Sequence, residues 1–161
     1  RFSAEARSYS YLLINRLTRP GLWHGRVSWE HRPLAVEPMQ AAAQLLLGEH
    51  DFSAFRAAGC QARHPRRTVH RLALSRSGDL VCVNIEANAF LQHMVRNIVG
   101  VLVKIGAGER PVEWAGEVLA GRDRRLGGVT APAAGLYFLH PRYPSTFNLP
   151  VMTGAQAPFP F

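Results

Sequence analysis

The sequence predicts an α+β domain, a split βαββαβ arrangement in which an antiparallel sheet carries its helices on one face. Three observations lead there. A strand-like segment opens the chain, two alternating segments flank a Ser-Gly-Asp turn near its middle, and the longest amphipathic helix follows them directly.

The first segment, residues 8–16, is rich in aromatic and branched side chains and short of helix formers. As a strand it sets Arg7, Tyr9, Tyr11 and Leu13 on one face and Ser8, Ser10, Leu12 and Ile14 on the other. Pro20-Gly21 breaks it, and 26–30 allows a short extended piece. Residues 37–47 repeat apolar positions at Met39, Ala42, Ala43, Leu46 and Leu47, a helix stopped by Gly48. Residues 51–55 and the arginine-rich stretch after them read as loop. Two strands, 68–76 and 80–87, then form a hairpin around Ser77-Gly78-Asp79.

Residues 90–105 carry the clearest helical pattern. Leu91, Met94, Val95, Ile98, Val99, Leu102 and Ile105 form one broad face; Gln92, His93, Arg96, Asn97, Gly100 and Lys104 form a polar stripe opposite. Pro111 fits the first turn of another helix reaching Leu119. A loop over 127–134 leads to a last short strand at 136–140. This is the order of ferredoxin-like and RNA-recognition-like modules, whose free sheet face can bind RNA.

A chain of 161 residues with 47% hydrophobic residues supports one compact domain, placed at 1–150, with an extended proline-rich tail over 151–161. No run of about 18 apolar residues is present, and no secretory leader pattern is visible, so the expected setting is cytoplasmic, away from membranes. The chain opens at Arg1 in a strand-like segment and reads as a piece of something longer. Cys60 and Cys82 lack CxxC spacing and read as free thiols; Cys60, His64 and His70 lack a fourth partner at zinc spacing, so no metal is expected.

Charge narrows the partner. Lys plus Arg number 19 against 11 acids, and every cation but Lys104 is arginine. Arg56, Arg63, Arg66, Arg67, Arg71 and Arg76 succeed one another with no acid between them. Arginine suits bidentate phosphate contacts and stacking on bases, so a nucleic acid is the expected partner.

The common enzyme motifs are missing: no Gly-x-Ser-x-Gly elbow, no P-loop, no Gly-x-Gly-x-x-Gly. Asp123, between arginines, reads as a structural ion pair. Four segments match a known family in order. They are Arg1-Phe2-Ser3-Ala4 with Arg7-Ser8-Tyr9-Ser10-Tyr11, then Leu47-Gly48-Glu49-His50-Asp51-Phe52-Ser53-Ala54-Phe55-Arg56. Next comes Ala87-Asn88-Ala89-Phe90-Leu91 running through His93-Met94-Val95-Arg96-Asn97-Ile98-Val99-Gly100. The last is Asp123-Arg124 with Thr130-Ala131-Pro132 and Gly135-Leu136-Tyr137. Together they resemble the C-terminal half of the bacterial TruA family of tRNA pseudouridine synthases, over nearly the whole chain.

The resemblance implies isomerisation of uridine to pseudouridine at positions 38–40 of the tRNA anticodon stem-loop, without cofactor or metal, by a homodimer with tRNA across both subunits. The family's nucleophilic Asp lies in a Gly-Arg-Thr-Asp motif of the N-terminal half, which this chain lacks, so the chain alone is expected to be inactive. Tyr9 matches the tyrosine that stacks on the target base and helps remove the C5 proton. Arg96 matches the arginine that pairs with the Asp, and Leu136 the apolar residue of the base pocket. From the residues alone, Tyr9 and Leu136 read as core and Arg96 as a surface arginine. Arg7, His93 and the stretch holding Arg63, Arg66 and Arg67 are the candidate substrate-binding residues. A non-catalytic RNA-binding module of the same topology is the alternative. A dimerisation or scaffold domain would explain the apolar helix but not the basic surface.

Overall fold

A computed structural model describes residues 3–149. Arg1, Phe2 and the tail expected over 151–161 lie outside the described residues. The strands are β1 (Ala6–Asn15), β2 (Ser28–Glu30), β3 (Gly48–Asp51), β4 (Arg66–Ser77), β5 (Leu80–Ala87) and β6 (Leu136–Arg142). The helices are α1 (Val36–Gln44), α2 (Met94–Gly106) and α3 (Trp114–Gly121).

The sheet runs β2-β1-β5-β4-β3, and β6 also pairs with β1. Leu13 to Asn15 pair with both β2 and, in part, β5, so β2 and β6 share the side of β1 away from β5. Setting aside β2 and β3, the path β1-α1-β4-β5-α2-β6 gives the spatial order β6-β1-β5-β4. That is the split βαββαβ arrangement, and the fold class is α+β. Two strands are additions to that arrangement, and one of them departs from an antiparallel sheet. β2 runs parallel to β1 for three residues. β3, expected as a helix stop, pairs with the start of β4; Gly-Glu-His-Asp carries no strand-forming side chain, so only the neighbouring backbone makes it a strand.

Helix boundaries shift for local reasons. α1 ends at Gln44, and 45–47 tighten into i→i−3 bonds such as Leu45 N to Ala42 O. α2 starts at Met94, because His93 takes a left-handed conformation, φ 62°, that no helix interior accepts. Pro111 lies in a turn one step before α3. β6 extends to Arg142 and includes Pro141, tolerated on a sheet edge.

All seven apolar positions expected on α2 are at most 5% exposed and meet Tyr11, Leu13, Val69, Leu72, Val83 and Ile85 of the sheet. The opposite stripe is solvated only in part, at Gln92 and His93. Asn97 and Gly100 are buried, because the 127–132 loop lies directly on the helix. A Cβ at Gly100 would stand 1.9 Å from the Val129 carbonyl oxygen, and one at Gly128 would stand 2.8 Å from the Gly100 oxygen. Two backbones touch here because neither residue has a side chain. The sheet's reverse face is partly covered too, where Trp23 and Val27 pack on Leu12 and Cys82.

Gly100→Ala must therefore displace the loop and is expected to destabilise the fold by about 1–3 kcal/mol. Gly116 of α3 has only an ordinary 3.7 Å neighbour. Gly116→Ala is expected to stabilise by roughly 0.5–1 kcal/mol. Thermal melts of the two variants should move in opposite directions; a shared direction would contradict this packing.

Candidate functional site

Tyr9 stands on the helix-side face of β1, beyond the reach of α2. Its ring meets Phe90 edge-on at 5.1 Å and Phe138 at 5.2 Å. Phe138 arrives by register, directly opposite Tyr9 on β6. Phe90 arrives through a bend at Asn88, whose Oδ1 accepts from the amides of Thr68 and Ala89. The cluster lines an open cleft of about 510 Å³ with Arg7, Ala89, Pro141 and Tyr143. Arg7 Nη1 donates to the carbonyls of Ala4 and Asn88, which ties the start of β1 to the Asn88 bend and places an aliphatic stem along the cleft.

Arg96 projects from the covered stripe of α2. Its Nε donates to the Ala131 carbonyl at 2.6 Å, and the Ala131 amide donates to the Arg96 carbonyl at 3.1 Å. This reciprocal pair fixes one edge of the guanidinium. Among the described residues no carboxylate pairs with Arg96, and its Nη atoms carry no hydrogen bond. The next loop residue, Pro132, accepts from the Tyr11 hydroxyl at 2.7 Å. Leu136 lies opposite Tyr11 in the β1–β6 register and packs half-buried on the core. One loop thus holds Arg96 on one side and Tyr11, two residues along the same face from Tyr9, on the other. Beyond the loop a cavity of about 320 Å³ opens between Gly100, Lys104 and Trp29.

The arginine stretch divides by burial. Arg63 is exposed, and Arg66 is exposed beside Glu49 at 3.0 Å. Arg67 stands apart from the surface expected of it. It is only 9% exposed, and its Nη1 donates to the carbonyls of His64 and Arg66. Its Nε is buried without a partner among the described residues. Arg56 likewise donates to the carbonyls of Cys60 and Ala62, and Arg76 to Asn15 and Leu34. An irregular segment leaves carbonyls unpaired, and arginine is long enough to reach them. His93 is exposed at the left-handed entry to α2.

Asp123 serves as a local cap. It accepts from the Arg125 amide and pairs with the Arg125 guanidinium at 2.6 Å, which holds its carboxyl down at about 2. Among the described residues no three His, Cys, Asp or Glu side chains gather as a metal site. No helix among the described residues is long and apolar enough to cross a membrane.

Sequence reasoning missed Phe90, Phe138 and Ala131 as site neighbours. Phe138 could be found only from the β1–β6 register and Ala131 only from its backbone, neither of which shows in residue type.

The profile of the family described as tRNA pseudouridine synthase matches residues 42–144. A protein of Hydrogenovibrio crunogenus named tRNA pseudouridine synthase A is 57% identical over 150 residues, which is 93% of this chain and 57% of that protein. One of the same name from Xylella fastidiosa is 54% identical over 94% of this chain and 59% of its own length. Another, from Xanthomonas euvesicatoria, is 55% identical over 93% and 58%. The chain spans under three-fifths of the length of these relatives.

Tyr11 gives a test of the loop contact. Burial pushes its phenol up to about 12, against the opposing pull of Ser28 and the Arg96 charge. The raised value favours the neutral form, so its stabilisation is complete below the unfolded value near 10 and is lost as pH rises from there towards 12. Denaturant unfolding should show a loss of roughly 2–3 kcal/mol over that window. Tyr11→Phe should flatten the window and cost about 0.5–1.5 kcal/mol at neutral pH. Equal alkaline slopes in both proteins would contradict the assignment.

Proposed function

The chain belongs to the tRNA pseudouridine synthase family, and we propose that it supplies one half of a site converting uridine to pseudouridine at positions 38–40 of the tRNA anticodon stem-loop. The observation that carries this reading is Arg96. It is held at one edge by the Ala131 carbonyl, has both Nη groups available among the described residues, and is bound from α2 to the loop that also binds Tyr11 of β1.

The chemistry follows from these residues. The target base must leave its stack, at a cost of a few kcal/mol. Stacking on Tyr9, whose ring is held by Phe90 and Phe138, recovers about 1–3 kcal/mol. Arg96 directs its Nη groups to the nucleophilic carboxylate that the family's Gly-Arg-Thr-Asp motif provides, keeping it ionised. The carboxylate bonds to C1′ as the N1–C1′ bond breaks, the uracil turns, and C5 displaces the carboxylate from C1′. The C5 proton leaves with help from the Tyr9 hydroxyl while N1 takes up a proton, so the product is an isomer of the substrate. Leu136 forms part of an apolar wall that keeps water from the sugar while the base is detached. No step calls on a metal or cofactor. The aromatics cluster at one sheet edge, and Tyr137 on the reverse face spends its hydroxyl on the Arg26 carbonyl. This favours a pocket for one extruded base over a platform for a single strand.

Arg63 and Arg66 present the phosphate-binding charge, with Arg7 and His93 nearer the base; buried Arg67 supports the loop that carries them. The reading places tRNA across a homodimer in the cytoplasm, as the resemblance implies.

The chain mixed with unmodified tRNA is expected to bind it and to form no pseudouridine, since it contains no Gly-Arg-Thr-Asp. Log affinity should fall with log salt by about 0.7–0.9 per phosphate contact. Replacing Arg63 and Arg66 by alanine should flatten the slope, whereas pseudouridine made by the chain alone, or no affinity for tRNA, would overturn the reading.

A further inference from the structure

We propose that Arg124, Asn97 and Thr130 form a positioning unit that sets the orientation of Arg96 through the backbone of the 128–132 loop. The starting point is a closed ring of hydrogen bonds. Arg124 Nη2 donates to Asn97 Oδ1 at 3.0 Å and to Thr130 Oγ1 at 2.9 Å, and Thr130 Oγ1 donates to Asn97 Oδ1 at 2.7 Å. Asn97 is 2% exposed and gives its Nδ2 to the Phe55 carbonyl at 2.7 Å.

The ring joins four parts of the chain at one point. They are the 3-10 turn Ser53–Phe55, helix α2, the 3-10 turn Arg124–Leu126 that follows α3, and the loop over α2, the last of which α2 also meets through Arg96 and Ala131. Its place in the sequence gives it leverage on Arg96. Asn97 is the next residue after Arg96 on the helix, and Thr130 is the residue before Ala131 on the loop. Ala131 exchanges two hydrogen bonds with Arg96, one of them to the guanidinium Nε. A rotation or lift of Thr130 therefore moves the one carbonyl that orients the Arg96 side chain. Gly100 and Gly128 let the loop reach the helix, but a backbone contact without donors fixes only the distance. The ring fixes the register.

The residue types fit this task. The Thr130 oxygen both donates and accepts, which a hydroxyl can do and an isosteric methyl cannot. Asn97 Oδ1 accepts twice while its amide donates to Phe55, with the Asn97 side chain itself buried. Arg124 spends its charge on two neutral oxygens, and among the described residues no acid pairs with it. An arginine serving surface solubility would face solvent. Here a charge-assisted donor closes the ring, and such bonds are roughly twice as strong as neutral ones.

The catalytic consequence rests on the function proposed above; the coupling of Thr130 to Arg96 does not. The test therefore reads the side chain directly, on this chain, by nuclear magnetic resonance of arginine labelled with nitrogen-15. Exchange of the Arg96 Nε proton with water is measured beside the backbone amide protection of Val83 and Leu102. Thr130→Val is expected to speed Arg96 Nε–H exchange by about tenfold while core amides stay protected, as loss of a charge-assisted bond requires. Thr130→Ser keeps the hydroxyl and should restore slow exchange. Arg124→Lys keeps the charge on a shorter side chain without the planar guanidinium, and should fall between. Unchanged Arg96 exchange in Thr130→Val with core protection intact would overturn the proposal. If Thr130→Val does not fold, the Ser and Lys variants decide: equal exchange in both would overturn it as well. Failure of the proposed function would instead show as absent tRNA affinity, which this measurement does not involve.

Discussion

The contact on which the rest depends is the exchange of two hydrogen bonds between Arg96 and Ala131. A guanidinium on a flexible stem loses considerable rotamer entropy when it is fixed. Here the cost is met in part by a backbone carbonyl that is itself held, by two glycine-enabled contacts below and by the Tyr11 hydroxyl one residue further on. Because Tyr11 also lies under Leu136 in register, the same loop joins the helix that carries the arginine to the strand that carries the aromatic ring. Sheet, helix and loop meet at this point, and the cleft at Tyr9 lies two residues back along the same face of β1.

Much of this was legible in the sequence, for identifiable reasons. The alternation of Val81, Val83 and Ile85 and the seven-residue face of α2 follow directly from burial, so side-chain type reports them. The family resemblance implied roles for Tyr9, Arg96 and Leu136 where residue type alone read core, a surface arginine and core. What stayed hidden was set by backbone. β3 is a strand because β4 extends past it, and α2 starts late because His93 turns left-handed. The polar stripe of α2 looked solvated because nothing in Arg96, Asn97 or Gly100 announces that a loop some 30 residues later will cover it. Gly100 was the available signal: a glycine inside a strong helix costs stability and so marks a close approach.

The arginines carry a second lesson about charge. A single-signed stretch predicts an anionic partner, yet several of its members turn inward, because the irregular chain from Arg56 to Pro65 has carbonyls to satisfy. Net charge therefore overstates the surface available to RNA. The exposed members, Arg63, Arg66, Arg71 and Arg76, have no compensating acidic run, and of these Arg76 is tied to Asn15 and Leu34, so the other three are what an anionic partner would meet.

The central claim is that this chain contributes the arginine half of a carboxylate–arginine pair. The most direct measurement joins these 161 residues to an N-terminal half bearing Gly-Arg-Thr-Asp and follows single-turnover pseudouridine formation with Arg96 and with Arg96→Ala. Removing one partner of a buried pair costs about 3–5 kcal/mol. The account therefore predicts a rate at least about a hundredfold lower in Arg96→Ala, with tRNA affinity little changed. Near-normal turnover in that variant would contradict it.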